Sequence, residues 1–365
     1  MHINRLLSLL LAGAVVLSLA ACGSPAAGTA TAGAPASSSQ QEQPLLLADD
    51  PLTPETAAAT TYPVIVTDQA GRKVTVSSEP RRLVSSYYIS TSMLIALGLQ
   101  DRVVGVENQP EKRPIYALSA PEFLELASIG TAKEIDLEAC AALKPDLVVL
   151  PLKLLDSAES LEALGLTVLY VNPENQQLLE EALTLLGVAT NTQARAADLI
   201  AFSDAQADRL ADVLAGVAKP KVYLGGNSDF LNTAGAAMYQ SDLITMAGGI
   251  NVAAEITDTY WVQTSYEQVL AWDPEYIILA SDATYTVADV LADPNLEGCT
   301  AIETGHVYQI PGNAEAWDSP VPGGILGAVW LAGILHPEQC PADETAEVID
   351  EFYQTFYGFT YSEIA

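Results

Sequence analysis

A fifteen-residue segment occurs twice in this chain, and this repeat constrains the fold more than any other sequence feature. Residues 136–150 read DLEACAALKPDLVVL, and residues 265–279 read SYEQVLAWDPEYIIL. Each copy begins with a residue that caps helices, carries a glutamate two positions later and reaches a proline just before an apolar run. Each copy therefore predicts a short helix that leads directly into a buried strand.

A second, weaker repeat supports the first one. Residues 91–98 read TSMLIALG, and residues 241–248 read SDLITMAG. Both repeats occur in the same order on either side of residues 175–219, whose leucine spacing predicts one long helix with Gly187 and Asn191 as points where it could be interrupted. The simpler explanation of the repeats is that α/β units resemble one another locally. Two repeats in the same order nevertheless favour two lobes that arose by duplication.

The pattern between the repeats defines the fold class. Short apolar strands alternate with helical segments, which predicts α/β lobes with mainly parallel sheets. We expect an N-terminal α/β lobe over residues 61–174, an inter-lobe helix over 175–219, and a C-terminal α/β lobe with a terminal helix over 220–357. In open parallel sheets, ligands bind beyond the carboxyl ends of the strands, so two such lobes predict a ligand cleft between them.

The first residues predict export and membrane attachment. Residues 1–22 contain a short apolar run, Leu6–Leu19, that is too short to span a membrane as a mature helix and has the form of a secretory signal peptide. The small residues before Cys22 resemble the lipobox of bacterial lipoproteins, which implies cleavage before Cys22 and its lipidation. An ordinary signal with an accidental cysteine is the alternative. Residues 23–60 are rich in Ala, Ser, Thr and Pro and predict a flexible tether.

The charge of the chain limits the partners it can bind, and its cysteines limit the disulfides it can form. The chain has 46 acidic and 15 basic residues and a formal charge of −31, which argues against nucleic acid and anionic lipid headgroups as partners. Beyond Cys22, three cysteines remain, an odd number for an oxidising compartment. Cys299 and Cys340 lie in loop-like contexts and could form a disulfide, whereas Cys140 lies in a helical pattern and is expected to be a small buried side chain.

These residues resemble the substrate-binding proteins of bacterial ABC importers for ferric siderophores, haem and cobalamin. The resemblance covers about Tyr62–Tyr357 and is carried by the repeated segment, by Gly305–Tyr308 and by the long helix between the lobes. It implies two Rossmann-like lobes bridged by that helix, a monomeric extracytoplasmic lipoprotein, and delivery of a solute to an ABC permease and its ATPase. It also implies that Glu138 and Glu267, one per lobe, dock onto the permease.

Ligand contacts are expected in the loops that follow the strands. Aromatic side chains there would cover a bulky chelate, and basic groups would bind its oxygen atoms. The candidate ligand-binding residues are Tyr87, Tyr88, Asn108, Arg113, Tyr116, Lys133, Lys153, Tyr260, Trp261, Ser281 and Trp317. Trp261 and Trp317 rank first because their polar loops offer little core to fill, although an aromatic residue near a strand end is more often part of the core or its rim.

A ferric siderophore is the expected ligand, and a weakly charged one suits the acidic chain best. Haem, cobalamin or an oxyanion such as molybdate are alternatives with the same fold. A bare metal site is not expected, because His306 and His336 form no cluster with metal-site spacing. No resident cofactor and no catalytic residue is expected, since no nucleophile elbow or phosphate loop occurs. A cell-surface lipoprotein hydrolase, or an adhesin or scaffold, is the alternative of another class.

Overall fold

Residues 58–257, 259 and 261–365 are described by the structure, which is a computed structural model. The predicted signal peptide, Cys22 and nearly all of the predicted tether lie outside these described residues. Thr60, at the end of the predicted tether, already belongs to the folded body. Its backbone N–H donates to Asn191 Oδ1 at 2.8 Å, and its hydroxyl donates to the carbonyl of Val188 at 2.8 Å.

The first lobe contains a hairpin and a parallel sheet. The strands are β1 (Val64–Thr67), β2 (Lys73–Val76), β3 (Leu83–Ser85), β4 (Val103–Val106), β5 (Ala127–Ser128), β6 (Leu147–Pro151) and β7 (Val168–Val171). β1 and β2 pair antiparallel. The other five strands are parallel in the order β5-β4-β3-β6-β7. Every residue of β6 is buried, as expected for a central parallel strand covered on both faces.

The second lobe is built around a smaller parallel sheet. Its strands are β8 (Lys221–Gly225), β9 (Asn232–Ala234), β10 (Ile250–Asn251), β11 (Trp261–Gln263), β12 (Tyr276–Leu279) and β13 (Val307–Gln309). The parallel sheet has the order β10-β8-β12-β13, and β9 pairs antiparallel with β11 beside it.

The two parallel sheets share one topology. Four strands of the first-lobe sheet lie side by side in the order β4-β3-β6-β7, and the four strands of the second-lobe sheet lie in the order β10-β8-β12-β13. In both sheets the second of the four strands along the chain comes first, followed by the first, third and fourth. The strands of the repeated segment, β6 and β12, therefore occupy the same place in their sheets. The predicted α/β fold with mainly parallel sheets is confirmed.

Helices cover the faces of the sheets. They are α1 (Tyr88–Ala96), α2 (Pro114–Ser119), α3 (Leu137–Ala142), α4 (Ala158–Ala163), α5 (Gln176–Thr190), α6 (Gln193–Val213), α7 (Tyr239–Met246), α8 (Tyr266–Trp272), α9 (Val287–Leu291), α10 (Thr300–Thr304), α11 (Ile325–Leu335) and α12 (Ala342–Phe356). The repeated helices α3 and α8 start at the predicted caps, with Asp136 accepting from Ala139 N and Ser265 from Gln268 N. In the described part of the chain, no helix combines the length and apolarity needed to cross a membrane.

Residues 175–219 contain two helices rather than one, and the break lies at Asn191, one of the two positions where the sequence allowed an interruption. Asn191 adopts a left-handed conformation with φ of 62° and ends α5, and α6 then starts a new direction. α6 begins on the first lobe, where Arg195 Nε donates to the carbonyl of Ala96, and its C-terminal cap Leu214 packs beside Gly248 in the second lobe. Its 21 residues span about 32 Å, so α6 alone is the bridging helix.

The buried side chains form three clusters that also hold the cysteines. One large cluster extends through both lobes and the inter-lobe helices, and two smaller ones lie within the first and second lobes. Cys140, Cys299 and Cys340 are free thiols and lie in three different clusters. The suggested disulfide between Cys299 and Cys340 is therefore wrong, since each fills space in a separate core. The expectation of a buried Cys140 is confirmed.

Candidate ligand-binding cleft

A cavity of about 40 Å³ lies between the two lobes. Its first-lobe wall comes from Tyr88 and Ser92 of α1 and from residues 112–116, which follow β4. Its second-lobe wall comes from Asp282, which follows β12, and from Gly312, Ala314–Ala316 and Val321 after β13. The carboxyl ends of both parallel sheets therefore contribute to one site, which is the place where this class of sheet binds ligands.

The lobes touch each other around this cavity. The backbone N–H of Ile115 donates to the carbonyl of Ala314 at 3.0 Å. The phenol of Tyr88 donates to the hydroxyl of Ser319 at 3.0 Å. Because both bonds cross from one lobe to the other, the structure shows the cleft closed.

Arg113 and Lys112 supply positive charge to the cavity wall. The guanidinium carbon of Arg113 lies 3.9 Å from the ring centre of Tyr88, which is cation–π contact. This stacking orients the guanidinium while leaving its N–H groups available for an anion. Burial raises the pKa of the Tyr88 phenol, so Tyr88 stays neutral and acts as a hydrogen-bond donor.

Tyr116 lines the same cavity, but its hydroxyl is already committed. The side chain is fully buried, and its phenol donates to Glu107, which also accepts from the hydroxyl of Thr91 at 2.8 Å. Burial raises the pKa of the Glu107 carboxyl, and these two hydrogen bonds lower it in part. Tyr116 and Glu107 therefore support the cavity wall from its inner side, and the hydroxyl of Tyr116 is engaged with Glu107.

Ser281 likewise uses its hydroxyl in a hydrogen bond within the protein. Its hydroxyl donates to Asp318 at 2.6 Å, and its backbone N–H donates to the same carboxyl group at 3.2 Å. Burial raises the pKa of Asp318, while the hydrogen bonds from Ser281 lower it. This pair holds the loop after β12 against the loop after β13, and it places the neighbouring Asp282 at the cavity.

Trp317 is a core residue, and the reason for ranking it first among the ligand contacts is wrong. It is 1% exposed, its indole N–H donates to the phenol of Tyr353 at 2.8 Å, and its ring packs on Tyr361. Its loop runs inward against α11 and α12, so the side chain fills space between these helices. Such burial depends on contacts that are distant in sequence.

The remaining candidates in the first lobe lie away from the main cavity. Tyr87 and Lys153 line a second, smaller cavity of about 20 Å³ at the carboxyl edge of the first-lobe sheet. Asn108 is exposed and accepts a hydrogen bond from Ser128, and Lys133 is exposed in the loop before α3. The structure therefore brings Tyr88, Arg113 and Tyr116 together and leaves these four residues outside the main cavity.

In the second lobe, Trp261 is 37% exposed on β11 and lies beside Gly226. Tyr260 lies outside the described residues. Among the described residues, no group of three His, Cys, Asp or Glu side chains is placed to hold a metal ion. The cavity wall combines the donors of Lys112, Arg113 and Tyr88 with the carboxyl groups of Asp282 and Glu315.

The two glutamates expected at the permease occupy equivalent surface positions. Glu138 and Glu267 are exposed in the first turns of α3 and α8. Each helix leads directly into its strand, so each begins toward the carboxyl edge of its sheet, on the cleft side of its lobe. A hydrogen bond from its own backbone and one from Ser265 lower the pKa of Glu267, which keeps its carboxylate ionised.

Sequence reasoning missed three polar residues at or behind the cavity wall, namely Glu107, Ser92 and Glu315. Glu107 follows β4 directly, so its position at the carboxyl end of a strand could have identified it. Ser92 lies within a helix, and Glu315 lies in a loop 223 positions away from it. Only the folded chain brings these two side chains into contact.

Comparisons with known proteins agree with this architecture. Residues 83–314 match the family described as periplasmic binding protein. Over 325 residues the chain is 28% identical to the molybdate-binding protein MolA of Haemophilus influenzae, covering 81% of this chain and 92% of that protein. It is 27% identical over 289 residues to a cobalamin-binding protein of Halobacterium salinarum, covering 76% and 75%.

A solved structure is similar over nearly the same region. The crystal structure of a periplasmic solute binding protein from Veillonella parvula has a TM-score of 0.71 and 26% sequence identity, covering 81% of this chain and 93% of that one. The family match begins in the first parallel strand of the first lobe and ends in the loop after the last strand of the second lobe. The chain therefore belongs to the periplasmic binding protein family, as its sequence resemblance predicts.

Proposed function

We propose that this protein is the extracytoplasmic solute-binding component of an ABC importer and that its cleft captures a small oxyanion such as molybdate. The cavity between the two lobes, which hydrogen bonds hold together beside it, carries this proposal. It measures about 40 Å³ and has Arg113, Lys112 and Tyr88 in its wall. One water needs roughly 10–15 Å³ of such volume, so the cavity accommodates a group the size of about three waters.

Size separates this ligand from the chelate expected from the sequence. Pockets that enclose large ligands measure roughly 300–1,000 Å³. A ferric siderophore, haem or cobalamin would therefore require the bonds from Ile115 to Ala314 and from Tyr88 to Ser319 to break. The name of the Haemophilus influenzae relative, a molybdate-binding protein, agrees with the smaller ligand.

A calorimetric ligand panel tests the proposal. Purified protein is titrated with molybdate, tungstate, sulfate and phosphate, and separately with ferric siderophores, haem and cyanocobalamin. We expect saturable binding of at least one tetrahedral oxyanion and no binding of the large ligands. Binding of a chelate or of cobalamin, with no response to any oxyanion, would contradict the assignment.

We propose that Glu138 and Glu267 dock onto the permease. The proposal is supported by the positions of the two side chains. Both are exposed in the first turns of the equivalent helices α3 and α8, on the cleft side of their lobes. Charge reversal in Glu138→Lys and Glu267→Lys should abolish stimulation of the importer ATPase in proteoliposomes and leave ligand affinity unchanged. Glu303→Lys, at an exposed helical position of the second lobe, is the matched control. A loss of ligand affinity in the docking variants would refute the separation of the two surfaces.

We propose that the protein is a monomer held at the membrane by a lipid on Cys22. The support is the sequence of residues 1–22, which lies outside the described part of the structure. Cells grown with radiolabelled palmitate should label the wild-type protein, and Cys22→Ser should move it from the membrane fraction to the soluble one. A Cys22→Ser protein that stays with the membrane would contradict the anchor, and light scattering tests the monomer.

A further inference from the structure

One buried carboxyl group joins the two lobes. Glu315, in the loop after β13 of the second lobe, is 5% exposed. Its Oε1 atom accepts a hydrogen bond from the hydroxyl of Ser92 on α1 of the first lobe. The same atom accepts from the phenol of Tyr357 at 3.1 Å, and the hydroxyl groups of Ser92 and Tyr357 lie 3.1 Å apart. These three groups form a polar contact across the lobe junction, next to the cavity.

The surroundings of Glu315 favour its neutral form. The titratable groups that face it are the phenols of Tyr353 in α12, of Tyr357 directly after α12 and of Tyr239 in α7. Arg113, Lys112 and Asp282 line the same cavity, but no ion pair of the described residues includes Glu315. Its Oε2 atom has no hydrogen-bond partner among the described groups. A buried carboxylate without a cation is costly, and burial raises the pKa of Glu315 to about 7.

We propose that Glu315 is a proton-operated latch between the lobes, whose neutral acid holds the cleft closed and whose ionisation loosens the junction. Opening of the cleft separates Glu315 from Ser92 and lets water reach the carboxyl group. The pKa of Glu315 then falls from about 7 toward the ordinary value of 4.5. Closing therefore takes up a proton between these two pH values.

The sign of the pH effect follows from this difference. The closed state has the higher pKa, so its advantage is complete below about pH 4.5 and declines as the pH rises to about 7. Because closing takes up one proton, the equilibrium constant for closing falls by at most about tenfold for each pH unit. Above pH 7 both states are ionised, and the equilibrium no longer changes. If the proposed function holds, a ligand of the closed cleft binds more tightly in acid and is released more easily as the pH rises.

Hydrogen exchange at one amide tests the latch without any ligand. The N–H of Ile115 is bonded across the cleft to Ala314, so its protection reports closure. Wild type is compared with Glu315→Gln, a neutral isostere, and with Glu303→Gln, an exposed control, at pH 5 and pH 8. At the same pH the intrinsic exchange chemistry is equal, so differences reflect the latch. The amide of Val148, a buried residue of β6 whose N–H donates to the carbonyl of Thr167, reports global stability.

We expect the protection of Ile115 in wild type to fall by tenfold or more relative to Glu315→Gln between pH 5 and pH 8. The Glu303→Gln protein should behave as wild type, and Val148 should show no matching change. Equal pH dependence of Ile115 in wild type and Glu315→Gln would overturn the latch.

A second measurement covers the case in which Glu315→Gln does not fold. The protection factor of Ile115 in wild type, corrected for intrinsic exchange, must then fall between pH 5 and pH 7, and a constant value would overturn the proposal. Because no ligand is present, failure of molybdate to bind would count against the proposed function alone.

Discussion

Replacing Arg113 with alanine should weaken oxyanion binding by about one to two orders of magnitude and leave the fold intact. Arg113 lies over the ring of Tyr88, with 3.9 Å from its guanidinium carbon to the ring centre, and its side chain lines the cavity. A hydrogen bond to a charged group contributes about 1.5–3 kcal/mol. At about 1.4 kcal/mol per factor of ten, its loss raises the Kd roughly 10- to 150-fold.

The effect on stability should be much smaller. The cation–π contact with Tyr88 contributes about 0.5–1 kcal/mol at a partly exposed site. Arg113→Lys keeps the charge but loses the planar pair of parallel N–H donors, so its Kd should lie between those of wild type and Arg113→Ala. Calorimetry with molybdate measures the Kd, and urea unfolding measures the stability.

The matched control is Lys153→Ala. It removes one positive charge from the same lobe, but Lys153 lines the second cavity. Its Kd should stay within about threefold of wild type, because an exposed charge at a distance is screened by salt. An unchanged Kd in Arg113→Ala would refute the placement of the anion beside Arg113. Equal losses in both variants would mean that only the long-range field matters.

Three further predictions concern stability. Because the thiols of Cys299 and Cys340 are free and buried, a reducing agent should leave the Tm unchanged. Both thiols should react with Ellman's reagent only after unfolding. A lower Tm under reducing conditions would contradict this prediction. Trp317→Phe should lower the free energy of unfolding by about 1–3 kcal/mol in urea titrations, since the phenol of Tyr353 loses a buried hydrogen bond, and an unchanged value would contradict the core position. Asn191→Ala should cost about 1–2 kcal/mol because its φ is 62°, whereas Asn191→Gly should cost less; equal losses would point away from the backbone.

The strands and short helices could be predicted because their signals are local. A capping residue at Asp136 or Ser265, a helix of six or seven residues, a proline and an apolar run lie within one short segment, and the structure follows that order. The parallel pairing followed from the alternation of strands and helices. The leucine spacing continues through residues 175–219 and could not decide between the two possible interruptions, Gly187 and Asn191. The left-handed conformation of Asn191 ends α5 without disturbing that spacing.

The candidate site could be predicted only in part. The segments that follow β3 and β4 do supply Tyr88 of α1, Arg113 and Tyr116 of α2 to the cavity, as the topology requires. The loop containing Trp317 looked exposed because it is polar and rich in turn residues, yet α11 and α12 enclose it. Glu315 gave no sequence signal, because its role depends on Ser92, which contacts it only after both lobes have formed.

The length of helix α6 also determines how one lobe is rotated relative to the other. Each residue of an α-helix advances the chain by about 1.5 Å and turns it by about 100°. A single deletion within Gln193–Val213 would therefore swing one sheet edge far from the other, although the helix itself would remain stable. An insertion in a surface loop leaves the facing edges of the two sheets in place, whereas a change in the length of α6 rotates and shifts one lobe relative to the other.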